Sequence, residues 1–191
     1  MSVLPLAFKL TNKPVLVVGA GHIGSGKAGL LVDAGAKVSV ITRDILAPLP
    51  TGIVSIEQRD FRAGDLEGFT LVISATGDAA TNDQIVEEAR DAGVWLNVVD
   101  DPARSDFYFT AVHRAGDVVV SVSTSGASPA LAQRLRTLIA GHLPSDLADV
   151  ASRLRDERAS LQRAGSSTEG RDWSSRLDAL LGGGSPSSRS H

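Results

Sequence analysis

The stretch VLVVGAGHIGSGKAGLLVDAGAKVSVITRD, residues 15–44, admits two incompatible readings, and the choice between them sets the fold. Gly19, Gly21 and Gly24 spell the G-x-G-x-x-G turn of a dinucleotide site, whereas Gly21, Gly26 and Lys27 spell most of G-x-x-x-x-G-K-[ST], the phosphate loop of a triphosphatase. The second motif needs a closing Ser or Thr hydroxyl for Mg²⁺, and Ala28 stands there without an oxygen. Its one support, an apolar strand ending in acid at VWLNVVDD, is a common feature of buried parallel strands. The first motif has its full context: a β-branched run before Gly19, an amphipathic run after Gly24, and the acid Asp44 about 20 residues beyond the turn. Gly19 then permits the tight turn and Gly21 the approach of a pyrophosphate. Gly24 lets helix and strand pack closely, with the helix N-terminus facing the anion. Asp44 suits the ribose hydroxyls of NAD, while Arg43 would attract the extra phosphate of NADP; the acid favours NAD.

Working outward, strands are expected at 14–19, 37–42, 53–60, 69–76 and 94–100. The first helix should place Ala28, Leu30 and Leu31 on its apolar face and stop at Gly35; a second, over 81–93, has Ile85, Val86 and Ala89 on one face and Thr81 or Asn82 as its cap. Apolar strands alternating with amphipathic helices require a parallel sheet with right-handed crossovers, an α/β, Rossmann-like doubly wound fold. It is expected over residues 1–113. GDVVVSVSTSG, 116–126, alternates as a half-buried strand, and Ser128-Pro129 opens a helix, giving a β-plus-helix unit over 114–144. A small helical domain follows at 145–181: Leu147, Val150, Leu154 and Leu161 form a stripe that Trp173, Leu177 and Leu180 can cover. Residues 182–191, GGGSPSSRSH, read as a disordered tail.

Composition narrows the function classes. With 42% hydrophobic and 21% charged residues and a formal net charge of -3, the chain is an ordinary globular sequence with no basic field for nucleic acid. It has no cysteine, which excludes disulfides, thiolate metal sites and cysteine nucleophiles. No apolar run reaches the roughly 20 residues of a membrane span, and the first residues lack a secretory leader. A mature, soluble, cytoplasmic protein is expected.

The segments 4–42, LVISATGD (71–78), LNVVDDPARSDFYFTAV (96–112) and VSVSTSGASPALAQRLRTLI (120–139), in this order and spacing, resemble the precorrin-2 dehydrogenase family, the dehydrogenase/ferrochelatase module of siroheme synthase. The resemblance covers residues 3 to about 145. It implies an intertwined homodimer in which 114–144 is the dimerisation unit, NAD-dependent oxidation of precorrin-2 to sirohydrochlorin, and in some members Fe²⁺ insertion.

Carried over residue by residue, the resemblance makes Asp100 the essential aspartate, at the end of the fifth strand. A carboxylate there can take a proton from the tetrapyrrole as a hydride leaves; the competing readings are that Asp100 caps the next loop or that Asp101 is the working acid. Cofactor contacts fall on Gly19, Gly21, His22, Ile23, Gly24, Arg43, Asp44, Ala75, Thr76 and Gly77. Thr124 stands where some relatives carry a phosphorylatable serine beside the substrate. Arg104, His113, Arg114 and Arg134 are the candidate cations for the substrate carboxylates. His113 alone is weak metal evidence, so a metal site stays unassigned. The family commonly has Arg-Lys where this chain has Gly26-Lys27. The non-enzyme alternative is an NAD-sensing regulatory module, which would keep the glycine turn without needing Asp100.

Overall fold

The computed structural model describes residues 3–167 and 172–181. The chain divides into two compact units, one within Ser2–Phe109 and one within Thr110–His191. The first contains β1 (Pro14–Ala20), α1 (His22–Asp33), β2 (Lys37–Ile45), β3 (Ser55–Gln58), β4 (Leu71–Ser74), α2 (Ala79–Ala92) and β5 (Trp95–Val98), closed by a 3-10 turn over Pro102–Arg104. Its strands form one sheet in the order β3-β2-β1-β4-β5, every pairing parallel, as the strand–helix alternation requires.

β1 is apolar throughout because both of its faces are covered. Val15 and Val17 lie in one core cluster with Val38, Val40, Leu71 and Ile73, beneath Ala28 and Leu31 of α1. Leu16 and Val18 lie in a second with Ile41, Val72, Leu96 and Val98, beneath Ile85 and Ala89 of α2. Each such fully buried aliphatic side chain contributes about 1.5–3 kcal/mol relative to exposure. β3, at the sheet edge, is exposed along its length and shorter than its pattern suggested.

Two local expectations are corrected. Leu30 is 52% exposed, because the face of α1 that meets the sheet runs through Gly24, Ala28 and Leu31, which are all buried. α2 is capped by Asp78, whose carboxylate accepts from the Thr81 N–H at 2.9 Å and from its hydroxyl at 2.6 Å. Asn82, the other proposed cap, donates instead to the Thr76 carbonyl at 3.3 Å. The signal was present as Asp followed three residues on by Thr, with a carboxylate as the stronger acceptor.

The second unit opens with a hairpin of β6 (Ala111–Ala115) and β7 (Val118–Val122), antiparallel with Ala111 opposite Val122. The valine–serine alternation revealed β7 but not β6. α3 (Pro129–Ala140) packs across both strands, with Ser128 as N-cap accepting from the Leu131 N–H at 3.2 Å and Pro129 in the first turn, as expected. α4 (Leu147–Arg163) passes so close to the hairpin turn that a Cβ on Gly116 would lie 3.0 Å from the Ala148 Cβ. α5 (Ser174–Leu181) packs against α4, tied by the Arg176–Glu157 ion pair at 2.9 Å. The expected tail at 182–191 lies outside the described residues.

Candidate functional site

β1 runs to β2 and β3 on one side and has β4 and β5 on the other, so the strand order reverses beside β1. In such sheets the ligand crevice opens at the carboxyl ends of the strands flanking the reversal. Here those ends carry Gly19 and Ala75. Gly19 has φ +101°, and a Cβ on it would lie 2.6 Å from the Ala75 carbonyl oxygen. A Cβ on Gly24 would overlap the Gly19 carbonyl oxygen, whereas around Gly21 and Gly26 nothing lies within 4 Å. The spacing 19–21–24 therefore has two packing positions and one open position, as a dinucleotide turn requires. In the 21–26–27 spacing the helix begins directly after Gly21 and already contains Gly26 and Lys27, leaving no loop to wrap a phosphate, and the triphosphatase reading ends there.

α1 starts at His22 with Gly21 as N-cap, without a side-chain cap and without an acid in its first turn. Its leading amides, including those of His22 and Ile23, are left for an anion at the positive end of the helix. The open face at Gly21 beside them gives a diphosphate room to approach, so the residues fit a dinucleotide.

Neighbouring strand ends are held by buried hydroxyls that sequence reasoning missed. Thr42, 5% exposed, accepts from the Ala20 N–H at 3.0 Å and donates to the Asp44 carbonyl at 2.7 Å, tying β2 to the turn. Arg43 and Asp44 follow it into solvent, and Arg43 pairs with Asp60 at 3.3 Å. On β4 the Ala75 amide donates to the Val18 carbonyl at 2.8 Å, and the Thr76 hydroxyl accepts from the Asp78 N–H at 3.1 Å, so Thr76 shapes the turn that leads past Gly77 to α2. Hydrogen bonds from Thr81 hold the Asp78 carboxyl below the usual carboxylate range.

At the end of β5 two adjacent acids have separate tasks. Asp101 accepts from the Arg104 N–H at 3.2 Å, capping the 3-10 turn, and pairs with the Arg104 Nε at 2.5 Å. Those hydrogen bonds lower the Asp101 carboxyl and raise the Arg104 guanidinium, which also reaches Asp83 at 2.6 Å. Arg104 is thus already matched by two carboxylates. Asp100 is exposed, sits at φ +59°, and makes no hydrogen bond or ion pair through its side chain among the described residues. That left-handed backbone is uncommon outside glycine and is tolerated by aspartate. The loop below it is fixed by Ser105, which accepts from the Val98 N–H at 3.0 Å, and by Asn97, which donates to the Phe107 carbonyl at 2.9 Å.

In the second unit, His113 and Arg114 are neighbours on β6 and so face opposite sides of the hairpin. Arg134 is exposed on α3. The Thr124 hydroxyl accepts from the Ser128 N–H and donates to the Ser128 carbonyl, both at 3.1 Å, closing the turn through Ser125 and Gly126. Among the described residues no group of three or more His, Asp or Glu side chains could hold a metal ion, and no helix is long and apolar enough to cross a membrane.

A parallel sheet with this turn at its switch point defines a nicotinamide-dinucleotide-binding domain. A family model described as "Putative NAD(P)-binding" matches residues 6–111, more than half of the sequence, and the chain belongs to that family. A second model, "Sirohaem biosynthesis protein central", matches residues 116–142. Siroheme synthase of Methylococcus capsulatus is 41% identical over 168 residues, covering 86% of this chain and 35% of that protein. Siroheme synthase of Ectopseudomonas mendocina is 39% identical over 161 residues, covering 82% and 35%. The chain thus spans about a third of the length of these relatives. The solved structure of SirC, a precorrin-2 dehydrogenase, superposes with a TM-score of 0.71 over 95% of this chain and 88% of that one; at 21% identity the likeness is one of fold.

Proposed function

We propose that this chain oxidises precorrin-2 to sirohydrochlorin with NAD⁺, a reading supported by its fold match to a precorrin-2 dehydrogenase and by its similarity to siroheme synthases. The observation that carries the proposal is the unpartnered Asp100 carboxylate at the carboxyl end of β5, in the unit that also holds the glycine turn. Oxidation removes one hydride and one proton. NAD⁺, when bound, supplies the hydride acceptor; Gly19, Gly21, Gly24 and the amides of His22 and Ile23 hold its diphosphate, and Ala75, Thr76 and Gly77 border it. Asp44 bonds the ribose hydroxyls, and Asp60 draws the Arg43 charge away from a 2′-phosphate, which favours NAD over NADP. Asp100 accepts the proton, a role that needs an ionised carboxylate with its oxygens free. Asp101 is the structural acid of the pair.

His113, Arg114, Arg134 and Thr124 remain the candidates for holding the substrate carboxylates, with His113 and Arg114 on opposite faces of the hairpin, so no single face presents both; Arg104 enters through its hold on Asp101. We also propose a homodimer, which the apolar surface of the second unit supports. Leu131, Leu135 and Leu138 make a stripe of 37–48% exposure on α3, and Val112 and Val119 share the open hairpin face. Of the expected division 1–113, 114–144 and 145–181, the first boundary would cut β6 (Ala111–Ala115), so the proposed dimerisation unit runs from 110 to 144, with the helical domain at 145–181 after it.

The test is the absorbance of precorrin-2 incubated with the protein and NAD⁺, and then with Fe²⁺. The sirohydrochlorin spectrum should appear with NAD⁺ alone, and Asp100→Asn should abolish it while leaving NAD⁺ affinity intact. A wild-type protein that binds NAD⁺ without spectral change would support the regulatory-module reading. A further change on adding Fe²⁺ would add metal insertion.

A further inference from the structure

Lys27 has no part in the glycine turn, yet its position is unusual. Its Nζ lies 3.9 Å from the centroid of the Phe109 ring, on a half-buried flank of α1. Phe109 packs on Phe107, centroids 5.9 Å apart, and both rest against the core that holds Ala28 and Leu31. The ring is therefore a fixed platform. Among the described residues the ammonium makes no hydrogen bond or ion pair; it meets the ring face and, at longer range, the charge of Asp100. Burial pushes the Lys27 amine below the usual lysine range, and the Asp100 charge pulls it back up. A ring face replaces only part of an ammonium's lost hydration and satisfies none of its three N–H donors in the ordinary way. A partly desolvated cation of this kind is completed by an anion.

The anion's chemistry follows from what lies across the site. The Asp100 charge is near enough to act on Lys27, so a molecule that meets both groups would present an anion to Lys27 and a proton to Asp100. A diphosphate offers none. A carboxylated pyrrole offers both. Resting on the dehydrogenase reading above, we propose that Lys27, seated on Phe109 opposite Asp100, binds a carboxylate of the tetrapyrrole and so fixes the ring from which Asp100 takes its proton.

The chain has four lysines, Lys9, Lys13, Lys27 and Lys37, which makes a direct test clean. In steady state, Lys27→Gln should raise KM for precorrin-2 by about tenfold or more while kcat and NAD⁺ affinity move less than about twofold, and Lys27→Arg should recover most of the loss. An unchanged KM, or a loss of NAD⁺ affinity instead, would overturn the assignment. Acetylation of the wild-type protein with acetic anhydride, mapped by mass spectrometry, gives a readout independent of turnover. A porphyrin octacarboxylate should protect Lys27 and spare the other three, and NAD⁺ should not protect it. Normal turnover with no protection of Lys27 would sink this inference alone. Protection without any turnover would sustain the carboxylate site and remove the dehydrogenase reading.

Discussion

The two units of the chain differ in how much core they build. The parallel sheet builds its own: Val15, Leu16, Val17, Val38, Val72 and Ile73 are all 0% exposed. In the unit after Phe109 only Ala111, Ala132 and Val150 are buried among the described hydrophobic residues, while Val112, Val119, Leu131, Leu135, Leu138 and Ile139 lie between 37% and 47% or, for Leu131, 48% exposed. A two-stranded hairpin with one helix across it has a single covered face, so half of its apolar residues have nothing to pack on within the chain. The sheet unit therefore has a core of its own, although Leu4, Leu6 and Leu46 outside its strands remain 66–77% exposed; the second unit has only the covered side of its hairpin.

Four variants would break or sharpen that contrast. The largest effect is expected from Leu135→Glu with Leu138→Glu: sedimentation should show a dimer dissociation constant raised on the order of 100-fold, with NAD⁺ affinity of the sheet unit unchanged. A variant that stays dimeric would mean that the α3 stripe is not the contact. Next, Gly24→Ala drives a methyl group into the Gly19 carbonyl and should cost on the order of 3 kcal/mol in denaturant unfolding, with NAD⁺ binding lost as well.

Asp65 comes third. It takes two hydrogen bonds from Arg59, at 2.6 and 2.8 Å, and one from the Arg62 N–H at 2.7 Å. Burial raises its carboxyl, but the bonds from Arg59 and Arg62 outweigh this and leave it below the usual range. Because the folded value is depressed, the stabilisation is present above the ordinary aspartate value and fades as pH falls through the lowered one. Asp65→Asn should cost about 2 kcal/mol at neutral pH and flatten the acid limb of stability against pH. The smallest effect separates two glycines of one helix: Gly26→Ala, with open space around it, should stabilise by roughly 0.5–1 kcal/mol, read as a higher Tm.

Much of the site was legible because its signals are local. The glycine spacing, the β-branched run before it and the Ser128-Pro129 helix start each depend on residues within a turn of one another, and all three appear where expected. Less local features were missed. Asp78 displaced Thr81 as the cap, β6 became visible only through its pairing with β7, and Thr42 reads as an ordinary strand residue until its hydroxyl is seen bridging β1 and β2. Asp100 and Asp101 were indistinguishable in sequence, since their difference lies in the Arg104 guanidinium that folds back onto one of them.

By itself, then, the order of residues determined that a parallel sheet forms and where its dinucleotide turn lies, because periodicity and glycine spacing act over a few residues. Only the tertiary structure decided which carboxylate remains unpartnered and that Lys27 comes to rest on Phe109, 82 positions later in the chain. Contacts of that span depend on how the strands are ordered in the sheet, and adjacent residues carry no record of it.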